Sequence, residues 1–305
     1  MKVGVTGGAG FIGSWVCGEL ERRGHTPLIF DHLGRTGPNA HNTMLGNVRD
    51  GTAVMELAAH VDGIIHLAAV LGTQETIRNP RPAFETNMLG GLNVLEACDL
   101  YRIPLVNICV GNYWMNNSYS LSKNAFERTV DMYRVEHDLP VANVRVVNAY
   151  GPGQTAAPPF AANKVRKIMP AFICRALSNQ PIEIYGDGEQ VSDCVYVHDV
   201  AHALVEAMER APLDVTVEVG PIEHATVNDV ALAVIDACRE YTGESVGIKR
   251  LPMRPGEIAG ARVVADTSTL AKVGMDAERL VTLTEGVRRT VAWFVANEGK
   301  TWAKP

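Results

Sequence analysis

Short apolar runs alternate with longer mixed stretches through the first half of the chain. Lys2–Thr6, Pro27–Phe30, Gly63–Leu67, Leu105–Cys109 and Ala142–Asn148 are almost continuously hydrophobic, as strands covered on both faces must be. Phe11–Arg23, Ala53–Ala59, Phe84–Leu100 and Tyr119–His137 lie between them and read as helices. This alternation predicts an α/β fold, a Rossmann-type doubly wound parallel sheet with crossover helices. After Gly151 the texture changes: Gly-Pro-Gly and then Ala-Ala-Pro-Pro break the alternation and mark a loop at a boundary. Beyond it, helices are expected at Ile168–Leu177, Val200–Glu209, Val227–Tyr241 and Glu285–Asn297, and strands at Ile182–Tyr185 and Cys194–Val197. The expected division is a larger domain over 1–165, to which segments near 190–210 return, and a smaller α/β portion over 166–305.

Composition narrows the partners. With 47% hydrophobic and 20% charged residues among 305, the chain can bury a substantial core. A net charge of −6 without any basic cluster argues against nucleic acid as a partner. No apolar run approaches the roughly 20 residues of a membrane span, so no membrane partner is expected. The first strand begins at Lys2, so no secretory leader is expected. Six cysteines (Cys17, Cys98, Cys109, Cys174, Cys194, Cys238) and nine histidines are scattered without metal-like spacing. Reduced thiols, a cytoplasmic setting and no metal are the corresponding expectations.

Two segments carry chemistry. Thr6-Gly-Gly-Ala-Gly-Phe-Ile-Gly13 follows a strand and opens a helix. Gly7, Gly10 and Gly13 suit a tight turn, a close approach to a pyrophosphate and close helix–sheet packing. The helix start at Phe11 and Ile12 offers N–H groups and a positive dipole end to phosphate. Asp31 closes the second strand, where a carboxylate accepts from an adenosine ribose and repels a 2′-phosphate, favouring NAD over NADP; Arg35 lies near enough to soften that preference. The second segment is Tyr119-Ser-Leu-Ser-Lys123. Residues four apart share a helix face, and an ammonium beside a phenol favours the phenolate, drawing its pKa from about 10 towards neutrality. Such a tyrosine can act as general base and acid on a substrate hydroxyl.

Together these segments resemble the extended short-chain dehydrogenase/reductases, specifically the NAD-dependent epimerase/dehydratase family acting on nucleotide sugars. The resemblance continues through His66-Leu-Ala-Ala69, Thr86-Asn-Met-Leu-Gly-Gly91, Arg145-Val-Val-Asn-Ala-Tyr-Gly-Pro-Gly153, Tyr185-Gly-Asp-Gly188, Tyr196-Val-His-Asp-Val200 and Arg254-Pro-Gly-Glu257. It implies that 1–165 binds the dinucleotide and 166–305 the substrate. It further implies that Asn47 and Val48 flank adenine, that Leu67, Ala68 and Ala69 line the nicotinamide side, and that Asn87 supports the active-site backbone. Tyr119 is the implied base and acid, Lys123 the group that holds the nicotinamide ribose, and Asn148, Tyr185 and Arg254 the substrate contacts. Phe84–Leu100 and Tyr119–His137 resemble helices that pair across a dyad, so a homodimer is expected.

Two departures stand out. The family places serine or threonine on the strand before the tyrosine; here Asn107-Ile-Cys-Val-Gly-Asn-Tyr-Trp114 has Cys109 or Val110 there, leaving Asn112, Ser118 or a water to donate to the reacting oxygen. The same segment has no carboxylate, which disfavours water elimination. Ser192 stands where the family has an arginine for the substrate diphosphate, with Arg254, Arg166, Lys164 and Lys167 as possible substitutes. A nucleotide-sugar 4-epimerase working through a 4-keto sugar fits best. A uronic-acid decarboxylase or a keto-reductase shares its first half, and a dinucleotide-binding sensor without catalysis is the reading from another class.

Overall fold

The computed structural model describes residues 1–34 and 42–305; Arg35 lies outside the described residues. The first portion runs β1 (Lys2–Thr6), α1 (Phe11–Arg22), β2 (Thr26–Asp31), β3 (Thr43–Leu45), α2 (Gly51–Ala58) and β4 (Gly63–His66). It continues with α3 (Thr73–Arg78), the single turn α4 (Arg81–Ala83), a π-helical segment Phe84–Gly90, α5 (Gly91–Tyr101), β5 (Leu105–Val110), α6 (Ser118–Glu136) and β6 (Val141–Val146). After these come β7 (Asn148–Tyr150), α7 (Ile168–Leu177), β8 (Ile182–Tyr185), β9 (Val191–Ser192), β10 (Cys194–Tyr196), α8 (Val197–Arg210) and β11 (Val217–Val219). The chain ends through α9 (Val227–Thr242), β12 (Ile248–Leu251), β13 (Arg262–Val263) and α10 (Leu283–Ala296).

Seven strands form one sheet in the order β3-β2-β1-β4-β5-β6-β11, with every pairing parallel. The order reverses at β1/β4, and ligands of open α/β sheets bind outside the carboxyl ends of the strands at such a point. One face is covered by α1 and α8 around Val3, Val5, Val16, Leu20 and Leu204. The other is covered by α2, α5 and α6 around Val54, Leu57, Leu95, Phe126 and Val130. The later segments have their own core, in which α7, α9 and α10 enclose Met169, Ile173, Ile184, Val234, Val287 and Phe294. Three short parallel pairs, β7·β10, β8·β12 and β9·β13, tie these segments together. All six cysteines are buried and none is in a disulfide.

Several elements differ from the sequence reading. The strand expected over 142–148 stops at Val146 and restarts as β7, which leaves the sheet to pair with β10. The strand expected over 194–197 ends at Tyr196, and α8 begins at Val197. The strands Thr43–Leu45 and Val217–Val219 were not anticipated; at three residues each they are too short to show periodicity. The long helix expected over 84–100 is π-helical up to Gly90 and α-helical afterwards. A side chain at Gly90 would meet Val48 at 2.8 Å and one at Gly91 the Phe126 ring at 2.7 Å. The change of helix type thus falls where the segment presses against both neighbours.

Tight packing also governs the first turn. A Cβ at Gly13 would lie 2.4 Å from the Gly7 carbonyl oxygen and 2.6 Å from Gly8 Cα, whereas one at Gly18, in the same helix, would meet nothing within 4 Å. Gly13→Ala should therefore lower stability by about 1–3 kcal/mol through overpacking against backbone, while Gly18→Ala should raise it by roughly 0.5–1 kcal/mol through helix propensity. Urea unfolding of both variants checks this, and the opposite ranking would contradict the packing described.

Candidate active site

The carboxyl ends of β1, β2, β4 and β5 open into a cavity of about 770 Å³. One wall is the glycine-rich turn and α1, contributing Gly7, Gly10, Phe11, Ile12 and Gly13. Gly7 has φ +71°, and a Cβ there would lie 2.9 Å from the Ala68 nitrogen, so only glycine lets the turn lie against the β4 end. Gly10 caps α1 with no side-chain partner, and the first turn carries no acid. The positive end of the helix is therefore left open to an anion.

Asp31 ends β2 with its carboxylate buried, accepting from Ala9 N at 3.1 Å and from Leu33 N at 3.1 Å. It braces the glycine-rich turn from the position where a ribose is expected. Asn47, Val48, Leu67, Ala68 and Ala69 line the same cavity. Asn87 does not: it is fully buried, accepting from Val70 N at 2.7 Å and donating to Val70 O at 3.1 Å and Ser122 Oγ at 3.1 Å. It thus braces the structure, clamping the loop after β4 to α6.

Facing the turn across the cavity, Tyr119 and Lys123 sit one turn apart on α6, whose start is capped by the Asn117 side chain accepting from Ser120 N at 2.9 Å. Among the described residues the Tyr119 hydroxyl makes no hydrogen bond, and the Lys123 ammonium is buried without a partner. The electrostatics correct the sequence expectation. Burial, with a smaller contribution from Cys109, pushes the Tyr119 phenol up to about 12, and burial pulls the Lys123 ammonium down. Desolvation is the leading cause of both shifts.

Beneath this pair lies a row of buried polar residues that the sequence reading did not single out. The sheet register aligns Thr6 with His66, His66 with Asn107 and Asn107 with Asn143. Thr6 Oγ1 accepts from Leu67 N at 3.1 Å and Ala68 N at 3.2 Å and lies 2.7 Å from His66 Nδ1. With two donors already at that oxygen, its proton goes to Nδ1. Burial, then Lys123, pull the His66 pKa down to about 3, so the ring stays neutral. Asn107 donates to Asn143 Oδ1 at 2.9 Å, and Asn143 donates to Asp131 at 3.0 Å on α6. One more turn along α6, Glu127 pairs with Arg145, which also pairs with Glu218. Polar residues ending or interrupting apolar strands were the legible signal for Thr6, His66, Asn107 and Asn143.

Cys109 is the residue at the expected hydroxyl position that joins this row. Its thiol donates to Asn143 Oδ1 at 3.4 Å and accepts from Asn107 Nδ2 at 3.3 Å, and burial pushes its pKa well up. It is thus neutral and hydrogen-bonded into the row, while it also lines the cavity. Of the two side chains considered as replacement donors, Asn112 lines the cavity and Ser118 does not. Asn112 accepts from Ser120 Oγ at 3.3 Å and donates to Met115 Sδ at 3.3 Å, which leaves its second amide hydrogen uncommitted.

At the far end, Asn148 donates to Ser192 Oγ, and both line the cavity. Two guanidiniums approach the Tyr185 ring, Arg254 at 4.7 Å and Arg166 at 5.5 Å from its centre. Arg254 is paired with Glu257, while Arg166 donates to Tyr185 Oη at 2.9 Å and to Glu183 at 3.1 Å.

A dinucleotide fits this arrangement: an uncapped helix start beside a turn that only glycine can form, a carboxylate at the second strand's end, and a partnerless buried ammonium opposite. Comparison with known proteins agrees. A decarboxylase of Bacillus cytotoxicus, UDP-N-acetyl-α-D-glucosaminuronate decarboxylase, is 26% identical, with 95% of this chain and 96% of the relative covered. The NAD complex of Thermus thermophilus UDP-glucose 4-epimerase superposes with a TM-score of 0.83 at 30% identity, covering 97% of this chain and 99% of that one. The Thermotoga maritima UDP-glucose 4-epimerase with UDP-glucose gives 0.85 at 26% identity, with the same coverage. Residues 3–220 match the sequence profile of the NAD dependent epimerase/dehydratase family. With that match extending over most of the chain and the turn, carboxylate and Tyr–Lys pair on one cavity, this protein belongs to the NAD-dependent epimerase/dehydratase family, with NAD as its cofactor.

Proposed function

We propose that the chain is an NAD-dependent enzyme that modifies nucleotide sugars, and that its reaction is 4-epimerisation. The observation that carries this reading is the Tyr119–Lys123 pair, without partners and facing the glycine-rich turn across one cavity. Bound NAD supplies the acceptor, and then the donor, of the sugar's C4 hydrogen. Tyr119 takes the C4 hydroxyl proton as the 4-keto sugar forms and returns it on reduction. Lys123 holds the cofactor ribose, and Asn112 donates to the C4 oxygen in place of the absent hydroxyl. Asn148, Tyr185 and Arg254 hold the nucleotide end.

Elimination of water is disfavoured because segment 109–114 offers no carboxylate. Of the four carboxylates in the cavity wall, Glu183 and Glu257 are ion-paired and Asp31 holds the turn, while Glu75 stands on α3, outside that segment. A decarboxylase is the second reading, favoured by the relative from Bacillus cytotoxicus.

The homodimer rests on an apolar stripe. Leu121, Met132 and Val135 are exposed along one face of α6, with Leu89 and Leu100 exposed beside it on the preceding helical segments. An unpartnered face of this kind marks an interaction surface.

Four outcomes test these readings. Tyr119→Phe should reduce turnover by about 10²–10⁴-fold while NAD titration stays unchanged. In the cofactor-free protein the Tyr119 phenol should titrate near 12 by ultraviolet difference. Turnover should therefore climb with pH until the phenol of the loaded enzyme is deprotonated; a profile that falls through this range contradicts the base role. Incubation with UDP-, GDP- and dTDP-sugars, uronic acids included, should give products of unchanged mass. Loss of carbon dioxide would replace epimerisation with decarboxylation, and unchanged Tyr119→Phe traces with every sugar would favour a binding-only protein. Light scattering should give twice the chain mass of 33.0 kDa, and Leu121→Glu with Val135→Glu should return it to the monomer.

A further inference from the structure

The Lys123 ammonium is buried and makes no hydrogen bond, yet one anion stands close behind it. Glu127 follows Lys123 on α6 by four residues, as Lys123 follows Tyr119, so the three share one face of the helix. Lys123 and Glu127 are both almost wholly excluded from water, and each has an atom without a hydrogen bond, Nζ of the lysine and Oε2 of the glutamate. The other glutamate oxygen, Oε1, accepts from Arg145 and from Thr216 Oγ1 at 3.3 Å. Arg145 is shared with Glu218. Two carboxylates around one guanidinium leave this assembly with one net negative charge.

The other groups that face the ammonium are uncharged. His66 on β4 stays neutral, and Tyr119 on α6 and Cys109 on β5 are both pushed up. The Cys109 thiol lies within the influence of both partners, Glu127 raising it and Lys123 lowering it. The elements that pack on α6 elsewhere carry Glu75, Arg78, Arg81, Glu85, Glu96 and Asp99, and none of these acts on the ammonium. Burial pulls Lys123 down, opposed by Cys109 and Glu127. Since Cys109 remains a thiol, Glu127 is the standing charge that opposes burial. At this depth a charge acts over several ångströms without contact, because little water screens it.

We propose that Glu127 is a positioning residue for the catalytic pair: an anion fixed one helical turn behind Lys123, which keeps the ammonium charged in its buried place and fit to hold the cofactor ribose beside Tyr119. The inference rests on the roles given to Tyr119 and Lys123 above. Arg145 anchors the glutamate, and Glu218 keeps the guanidinium from cancelling it.

Carbon-13 spectra of the full-length chain labelled at lysine Cε test this, with the Lys123 signal identified by its absence from Lys123→Met. Glu127→Gln keeps an amide oxygen for Arg145 and Thr216 but removes the charge. Loss of a neighbouring anion favours the neutral amine, so the Lys123 midpoint should fall by about one pH unit or more. Asp131→Asn, a further turn along α6, should leave the midpoint in place. Calorimetry should show NAD affinity declining at correspondingly lower pH in Glu127→Gln than in the wild type. Glu218→Gln, in the more exposed arm of the same assembly, should lower the midpoint by a smaller amount, and it decides the matter if Glu127→Gln does not fold. An unmoved midpoint in the folded variants overturns the proposal, as does an equal shift in Asp131→Asn. A shifted midpoint with an unaltered pH dependence of NAD binding overturns it too, by separating the ammonium from the cofactor. None of these results touches the epimerase reading, which stands or falls on Tyr119→Phe and the sugar products.

Discussion

The site depends on the alignment of four parallel strands at their carboxyl ends, held by buried polar side chains. Thr6, His66, Asn107 and Asn143 fall side by side in the sheet register, and all four are excluded from water. Buried polar groups must find partners within the protein, and these find many of theirs in one another, in the loop after β4 and in α6. A slip of one residue in any of these strands would turn such a side chain to the opposite face and strand its partner. The row thereby fixes where the β4 loop and the catalytic helix stand relative to the glycine-rich turn. Asn87 repeats the device one layer out, clamping Val70 by both backbone groups.

Above this row, burial dominates the electrostatics. The phenol of Tyr119 is raised and the ammonium of Lys123 lowered, so each is biased towards its neutral form in the cofactor-free chain. The polar row contributes by staying uncharged: His66 is held neutral beside Lys123, and Cys109 remains a thiol. No compensating carboxylate is in hydrogen-bond contact with the lysine, and its charge is left for a ligand to satisfy. A site of this kind is strongly responsive to what enters it, because each added charge acts in a poorly screened environment.

The two departures from the family's pattern have different structural outcomes. Cys109 is absorbed into the polar row, so the loss of a hydroxyl there goes with a change of hydrogen-bond partners around the strand end. Ser192 is absorbed into a contact with Asn148. The first departure bears on the donor to the reacting oxygen; the second bears on how the substrate's charge is received.

Local pattern alone determined the parallel α/β class, the glycine-rich turn opening α1, the carboxylate at the end of β2 and the helix carrying Tyr119 and Lys123. Each of these is written in contiguous residues, through apolar runs, helical spacing or glycines where a side chain cannot fit. The three-residue strands β3 and β11, the departure of β7 from the sheet and the π-helical segment were decided by tertiary packing, since none has a periodicity long enough to read. The polar row was half legible, as isolated polar residues in apolar runs, but its partnership exists only once the register brings distant strands together. The protonation state of Tyr119 was misread from spacing, because a four-residue separation reports adjacency and says nothing of desolvation. Which cations remain unpaired, Lys123 among them, follows from where every carboxylate in the folded chain ends up, and that only the tertiary structure decides.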